Sequence, residues 1–206
     1  MDLRRLNDLL RRVPSWCVYL CGLAPAVWLF WLALNGELGP DPVKALEHRY
    51  GEFALQFCIA SLAVTPLRRY LGLNLLKHRR ALGLLCFAYA GIHLLVWLIL
   101  DVQSPAQILA DLAKRPYVTV GMAAFVLLIP LAATSNQASI RALGPIWRRL
   151  HRLSYPAALL AALHYVLLAK GFQLEPLLYL SGIAVLLLTR IRLPQFRRRA
   201  RYISGE

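Results

Sequence analysis

The sequence predicts an all-α membrane protein, a six-helix transmembrane bundle with both termini cytoplasmic. Three observations carry that expectation. Hydrophobic residues make up 59% of the 206 positions and mean hydropathy is +0.53, above the apolar share of a soluble domain. Charged residues fall to 17% while the net charge reaches +14, and the Lys and Arg residues gather between apolar runs, where a helical membrane protein puts them. Two histidines, His93 and His164, lie deep inside separate apolar runs. An ionisable group within hydrocarbon is costly and faces a bundle interior, a cavity or a bound group. Nucleic-acid binding is excluded, because such a protein concentrates its basic residues on a polar face and lacks long uncharged runs.

A helix needs about 20 mostly apolar residues to cross a bilayer, and six segments approach that: 14–35, 50–68, 81–101, 117–136, 150–170 and 175–193. The first follows a basic start like that of a signal peptide, but its apolar part is too long and no A-x-A-like site closes it, so it reads as a retained membrane helix. ELGPDP at 37–42 supplies turn chemistry before the second segment. That segment has a short uncharged core, extended by snorkelling of its flanking arginines. The third carries His93, and the fourth ends at a predicted turn, NQAS at 136–139. The fifth carries His151 and His164, and the sixth, PLLYLSGIAVLLLTRIRL, again has a short core flanked by arginine. No repeat or low-complexity stretch appears, so residues 1–206 read as a single transmembrane domain.

Orientation follows from the basic residues. One side collects Arg4, Arg5, Arg11, Arg12, Arg68, Arg69, Lys77, Arg79, Arg80, Arg141, Arg148, Arg149, Arg152 and the tail from Arg190 to Arg201. The other holds Lys44, Arg49, Lys114, Arg115 and Lys170, beside Glu37, Asp41, Glu47, Asp101 and Asp111. The asymmetry places the first set in the cytoplasm. The tail RIRLPQFRRRARY fixes topology and meets anionic lipid head groups, with docking of an acidic cytosolic partner as the alternative. Cys17, Cys21, Cys58 and Cys86 form no CxxC and read as small buried hydrophobes. His48 reads as a surface residue of an outer loop.

Under this topology the third and fifth segments both run outward. His93 lies about 18 Å into one and His164 about 21 Å into the other, at 1.5 Å per residue. Neutral imidazoles at matching depth on facing helices are the usual way to hold a haem iron in a bundle. His151 lies about 20 Å below His164, where a second, inner haem would hang, with His78 as its natural partner. Arg79 and Arg80 suit haem propionates through the fork of a guanidinium. On an ideal helix His151 and His164 point about 140° apart, although Pro156 between them admits a kink. Structural hydrogen bonding or a proton path remains the other reading of these histidines.

Four stretches carry a family resemblance: GLAPAVWLFWLALNGELGPDPVKALEHRYGEFAL at 22–55, RRALGLLCFAYAGIHLLVW at 79–97, KRPYVTVGMAAFVLLIPLAATS at 114–135, and ALGPIWRRLHRLSYPAALLAALHYVLLAKG at 142–171. On these residues the chain resembles the YedZ/MsrQ family within the ferric-reductase-like transmembrane superfamily. The resemblance implies a cytochrome b-type six-helix subunit of the bacterial inner membrane. It would pass electrons outward to a periplasmic, molybdopterin-containing methionine sulfoxide reductase catalytic subunit, supporting repair of oxidised proteins. By motif, the family's haem b ligands fall on His93, His151 and His164. The inner position on the third segment is offset by one residue from His78, so one haem is the firm implication and a second stays open. FMN is a further cofactor implied by the resemblance alone, and no local motif here binds it. The superfamily's oxidases carry a nucleotide-binding domain. Here no GxGxxG follows a strand, so electrons are expected from the quinol pool or from a separate cytosolic flavin reductase. Two rival readings stay open: a self-contained ferric or quinone reductase, and a proton-coupled transporter, although no paired broken helices mark a substrate site.

Overall fold

A computed structural model of the chain describes residues 3–169 and 171–190. Lys170, the basic tail beyond Arg190 and the last residues of the sixth predicted segment lie outside the described residues. Everything described is helix or connection. Helix α1 (Leu3–Arg12) is short and amphipathic and ends at Pro14, whose ring disfavours helix at the residue before it. It docks on the connection that follows α3. The Asn7 amide donates to the Gly72 carbonyl at 3.0 Å and accepts from the Asn74 backbone at 2.9 Å. Lys77 Nζ caps the carbonyls of Arg11 and Val13 at 2.7 and 2.9 Å, which α1 leaves without helical donors.

Helix α2 (Ser15–Leu34) buries only Gly22 and Ala26. Its large side chains face outward, Val27 and Leu34 at 72% and 73% exposure, as expected for a helix bathed in lipid. Small residues one turn apart let two backbones approach when no hydrophobic effect drives helices together. A Cβ on Gly22 would collide with the Leu85 side chain. The same patch is closed by two buried hydroxyls: Tyr89 donates to the Gly22 carbonyl at 2.7 Å and Tyr50 to the Ala26 carbonyl at 2.9 Å.

Helix α3 (Pro42–Leu71) starts well before the predicted span. Asp41 accepts from the Lys44 backbone at 3.2 Å as N-cap, and Pro42 occupies the first turn. Gly72, at φ 70°, ends the helix in the left-handed conformation. Lys44, Glu47, His48, Arg49 and Glu52 interrupt the apolar run without interrupting the helix, so His48 is on α3 and not in a loop.

After a 3₁₀ turn (Leu76–His78) comes α4 (Arg79–Val96), which continues as a π-helical turn over Trp97–Val102. Helix α5 (Pro105–Lys114) fills a stretch expected to be a loop, and α6 (Pro116–Ala133) follows it. NQAS is not a turn: Asn136 caps α7 (Gln137–Leu143) by accepting from the Ser139 backbone at 2.7 Å. Helix α8 (Pro145–Leu150), a 3₁₀ turn over His151–Leu153 and α9 (Ser154–Leu168) run on from one another, and α10 (Leu174–Leu188) completes the described chain.

Among the described residues, four helices are long and apolar enough to cross a membrane: Ser15–Leu34, Pro42–Leu71, Leu76–Val102 and Pro116–Ala133. Helices α9 and α10 have 15 residues each. The most extensive packing joins α3 to α4 and α6 to α9, while α10 bridges α9 and α3, and α4 meets α6. Tyr89 anchors one core cluster, stacked between Phe53 and Phe57 at 5.2 and 5.4 Å. Leu55, Leu62, Ala158, Ala162 and Ile183 make the second where α3, α9 and α10 meet. The four cysteines are free. Cys86 is buried and Cys17 and Cys58 half-buried, but Cys21 is exposed, contrary to expectation, because it lies on the outward face of α2.

Candidate functional site

A cavity with about 1450 Å³ of space between atoms, its open mouth included, lies among α3, α4, α6 and α9. Its walls are largely small or flat residues, Gly51, Ala54, Ala90, Gly121, Ala124 and Ala161 among them. Charge enters only at the mouth, through Lys44, Glu47, His48, Glu52, Asp101 and Arg115. An apolar slot with a few polar groups at one end is the usual form of a ligand site. At the mouth Arg115 donates to the Tyr117 hydroxyl at 3.3 Å and pairs with Asp111 at 3.2 Å. The hydroxyl, then the carboxylate, hold its guanidinium still more firmly protonated than usual.

His93 from α4 and His164 from α9 face each other across this slot, ring centroids 6.1 Å apart and planes 73° apart. Each is half-buried, and each is pinned by the helix behind it. His93 Nδ1 donates to the Glu47 carbonyl of α3 at 2.8 Å, and His164 Nδ1 to the Tyr117 carbonyl of α6 at 2.7 Å. A carbonyl only accepts, so the proton resides on Nδ1 and the lone pair is left on Nε2 of both rings. A ring N–H given to a backbone carbonyl in this way fixes the tautomer and direction of a metal-ligating imidazole.

The two rings are the residues that would hold a haem iron here, and their spacing suits one metal shared between them. Two metal–imidazole bonds of about 2.0–2.1 Å, plus about 1.1 Å from each nitrogen to its ring centre, require centroids about 6 Å apart. The observed separation is 6.1 Å. Thus the depth match read from sequence becomes a facing pair in space.

The other predicted residues lie elsewhere, outside the walls of this cavity. His78 is buried at the opposite end, its Nε2 bonded to the Leu10 carbonyl of α1 at 3.0 Å and its Nδ1 without a partner. His151 stacks on Trp147 at 4.0 Å, and its Nε2 is 3.1 Å from Thr134 Oγ1. The single Thr134 hydroxyl proton is already given to the Pro130 carbonyl at 2.6 Å, so His151 is the donor and carries its proton on Nε2. Neither a hydrogen bond nor a ring contact joins His78 to His151 among the described residues. His151 sits in the 3₁₀ turn, so the ideal-helix angle to His164 does not apply. Arg79 is near Arg190, Tyr155 and His151, away from the His93–His164 cavity.

Sequence reasoning missed Gly51, Gly121, Lys44 and Arg115. A signal was present: a glycine inside a helix costs about 1 kcal/mol relative to alanine, so Gly51 and Gly121 each imply a close approach.

The ferric reductase-like transmembrane component family matches residues 48–162, more than half of the chain. The chain belongs to that family, in its YedZ/MsrQ branch. Relatives named as the haem-binding subunit MsrQ of protein-methionine-sulfoxide reductase, from Brucella ovis, Brucella canis and Brucella suis, are each 45% identical over 185 residues. Those alignments cover 89% of this chain and 84% of each relative. No solved structure matches. The matched family segment contains most of the cavity's lining residues, His93 among them, and ends just before His164. Family and apolar helices together make this MsrQ-family chain a multi-pass membrane protein.

Proposed function

We propose that the chain is the haem b-binding electron-transfer subunit of a methionine sulfoxide reductase system in a bacterial inner membrane. In this reading six helices cross the bilayer and both termini are cytoplasmic, supported by the crowding of Arg and Lys at one end of the bundle. The observation that carries the proposal is the imidazole pair at 6.1 Å, each ring lining one cavity and pinned through Nδ1, which leaves the Nε2 lone pair free. A haem there supplies one-electron iron chemistry. The protein's part is positional. Glu47 and Tyr117 carbonyls hold the two tautomers, the alanine and glycine walls leave room for a flat group, and Arg115 and Lys44 at the mouth would meet its carboxylates.

Electrons would leave on the side of that mouth, toward a periplasmic molybdopterin-containing catalytic subunit, and would arrive from quinol or from a cytosolic flavin reductase. FMN belongs to the donor side of the proposal through family resemblance. His151 is proposed as ligand of a second, inner haem. The half-buried cations Arg79 and Arg190 beside it, paired with no carboxylate among the described residues, favour a group bearing carboxylates. Ligation through Nε2 would require His151 to leave Thr134.

Haem and iron per polypeptide, with absorption spectra of wild type, His93→Ala and His164→Ala, test the reading. The expected result is a bis-imidazole low-spin spectrum that either substitution removes. Full haem loading in both variants would overturn it. Rapid reduction of soluble ferric or quinone acceptors without any periplasmic partner would favour the self-contained reductase instead.

A further inference from the structure

Each imidazole of the pair lies on a glycine of the helix that supplies its carbonyl. Glu47 and Gly51 are one turn apart on α3, and His93 bonds to the first while its ring covers the second. Tyr117 and Gly121 repeat the arrangement on α6 for His164. A Cβ on Gly121 would stand 2.7 Å from His164 Nδ1 and 2.9 Å from Cε1. On Gly51 it would stand 3.3 and 3.4 Å from the same atoms of His93. Neither glycine has positive φ, so backbone freedom does not explain them. Their missing side chain does, because it lets the ring approach close enough for Nδ1 to reach the carbonyl one turn back.

We propose that Gly51 and Gly121 are positioning residues that set the height and plane of the two imidazoles, one glycine–carbonyl cradle per ligand, and so fix the near-perpendicular bis-imidazole field of the bound haem. The proposal rests on the haem reading above. Its two halves are graded, since the contact at Gly121 is closer than that at Gly51. A methyl at Gly121 pushes His164 off the Tyr117 carbonyl and tilts its Nε2. In the haem-free protein the same imidazole swings aside about its two side-chain bonds, so the fold tolerates the methyl. A packing role would cost the haem-free and haem-loaded forms alike; a positioning role costs only the loaded form.

The test compares wild type, Gly121→Ala, Gly51→Ala and Gly182→Ala, the last on α10, where a Cβ meets nothing within 4 Å. Haem retention is read by transfer to excess apomyoglobin, the ligand field by EPR of the ferric protein, and the fold by thermal unfolding of haem-free samples. Near-perpendicular imidazoles give a strongly anisotropic low-spin signal, and more parallel ones a rhombic signal. Gly121→Ala is expected to weaken haem retention by about 10- to 100-fold, the usual effect of losing the hydrogen bond behind a ligating imidazole, and to shift the EPR signal toward rhombic. Gly51→Ala should do the same more mildly, and Gly182→Ala should match wild type. An unchanged signal and retention in Gly121→Ala would overturn the proposal, as would equal destabilisation of its haem-free and haem-loaded forms. Haem held normally by His93→Ala and His164→Ala would instead defeat the underlying ligand assignment, whatever the glycine variants do.

Discussion

Replacing Arg190 tests whether a proline in α3 is accommodated by a side chain from another helix. Pro66 has no N–H, so the Leu62 carbonyl one turn earlier loses its helical donor. Arg190 supplies one: its Nη2 donates to the Leu62 carbonyl at 2.6 Å, and its Nη1 to the Tyr155 hydroxyl at 3.1 Å. Leu62 is only 3% exposed, so water cannot take over. Leaving a buried carbonyl unpaired costs about 1–3 kcal/mol. Two terms oppose that loss, because Arg190 Nε is itself buried without a partner and a second guanidinium, Arg79, lies close by. Arg190→Met alone is therefore ambiguous, and the informative experiment is a double-mutant cycle with Pro66→Ala. Alanine at 66 restores the helical donor to Leu62, so removing Arg190 should cost about 1–2 kcal/mol less in that background than in wild type. For a chain of this size that is a difference of about 2–8 °C in midpoint, readable by thermal unfolding in one detergent. Additivity within about 0.5 kcal/mol would show that the carbonyl does not depend on Arg190.

Three further outcomes follow from the same geometry. Tyr89→Phe and Tyr50→Phe each remove a buried donor to a carbonyl of α2, and each should lower stability by about 1 kcal/mol, with cysteine-accessibility of Cys17 rising as α2 loosens. Asp41 is held below its ordinary value of 3.8 by the backbone N–H and then the ammonium of Lys44. Its folded pKa being depressed, the cap is fully formed above pH 3.8 and is lost as pH falls below, so amide exchange at the start of α3 should accelerate only under acid, and Asp41→Ala should show that fast exchange at neutral pH. His151→Ala should leave the His93–His164 spectral signature intact, since His151 lies outside the cavity walls; loss of that signature would show the two levels to be coupled.

Long apolar runs were legible because a bilayer admits only helix there, and the charges between them marked where runs end. Polar stretches were harder. Residues 42–49 look like an outer loop in composition, yet Asp41 and Pro42 carry start signals that fold them into α3. Asn136 likewise reads equally well as turn former or N-cap, and only the seven residues after it decide for helix. The histidines divide in the same way. His93 and His164 could be matched by depth because straight helices convert residue number into height. His78 and His151 could not, because each sits in a 3₁₀ turn and its direction depends on what packs beside it, α1 in one case and Trp147 with Thr134 in the other.

The site's construction follows from a constraint peculiar to its surroundings. A neutral imidazole in a bundle needs an acceptor for Nδ1–H, yet water is excluded and carboxylates are costly to bury. A carbonyl already engaged in a helix still has a second lone pair, and it adds no charge. Reaching it requires the ring to lie against the helix surface, where an ordinary side chain stands in the way; glycine one turn on removes that obstacle. The two cradles belong to the two most extensive helix pairs in the molecule, α3 with α4 and α6 with α9. The hydrogen bonds that aim the imidazoles therefore lie at the wall of the cavity, beside the packed side chains that join each pair. Ligand orientation is thus set apart from the side chains of the two core clusters, which include neither imidazole, so a methyl at Gly121 is expected to change the aim of His164 before it changes the fold.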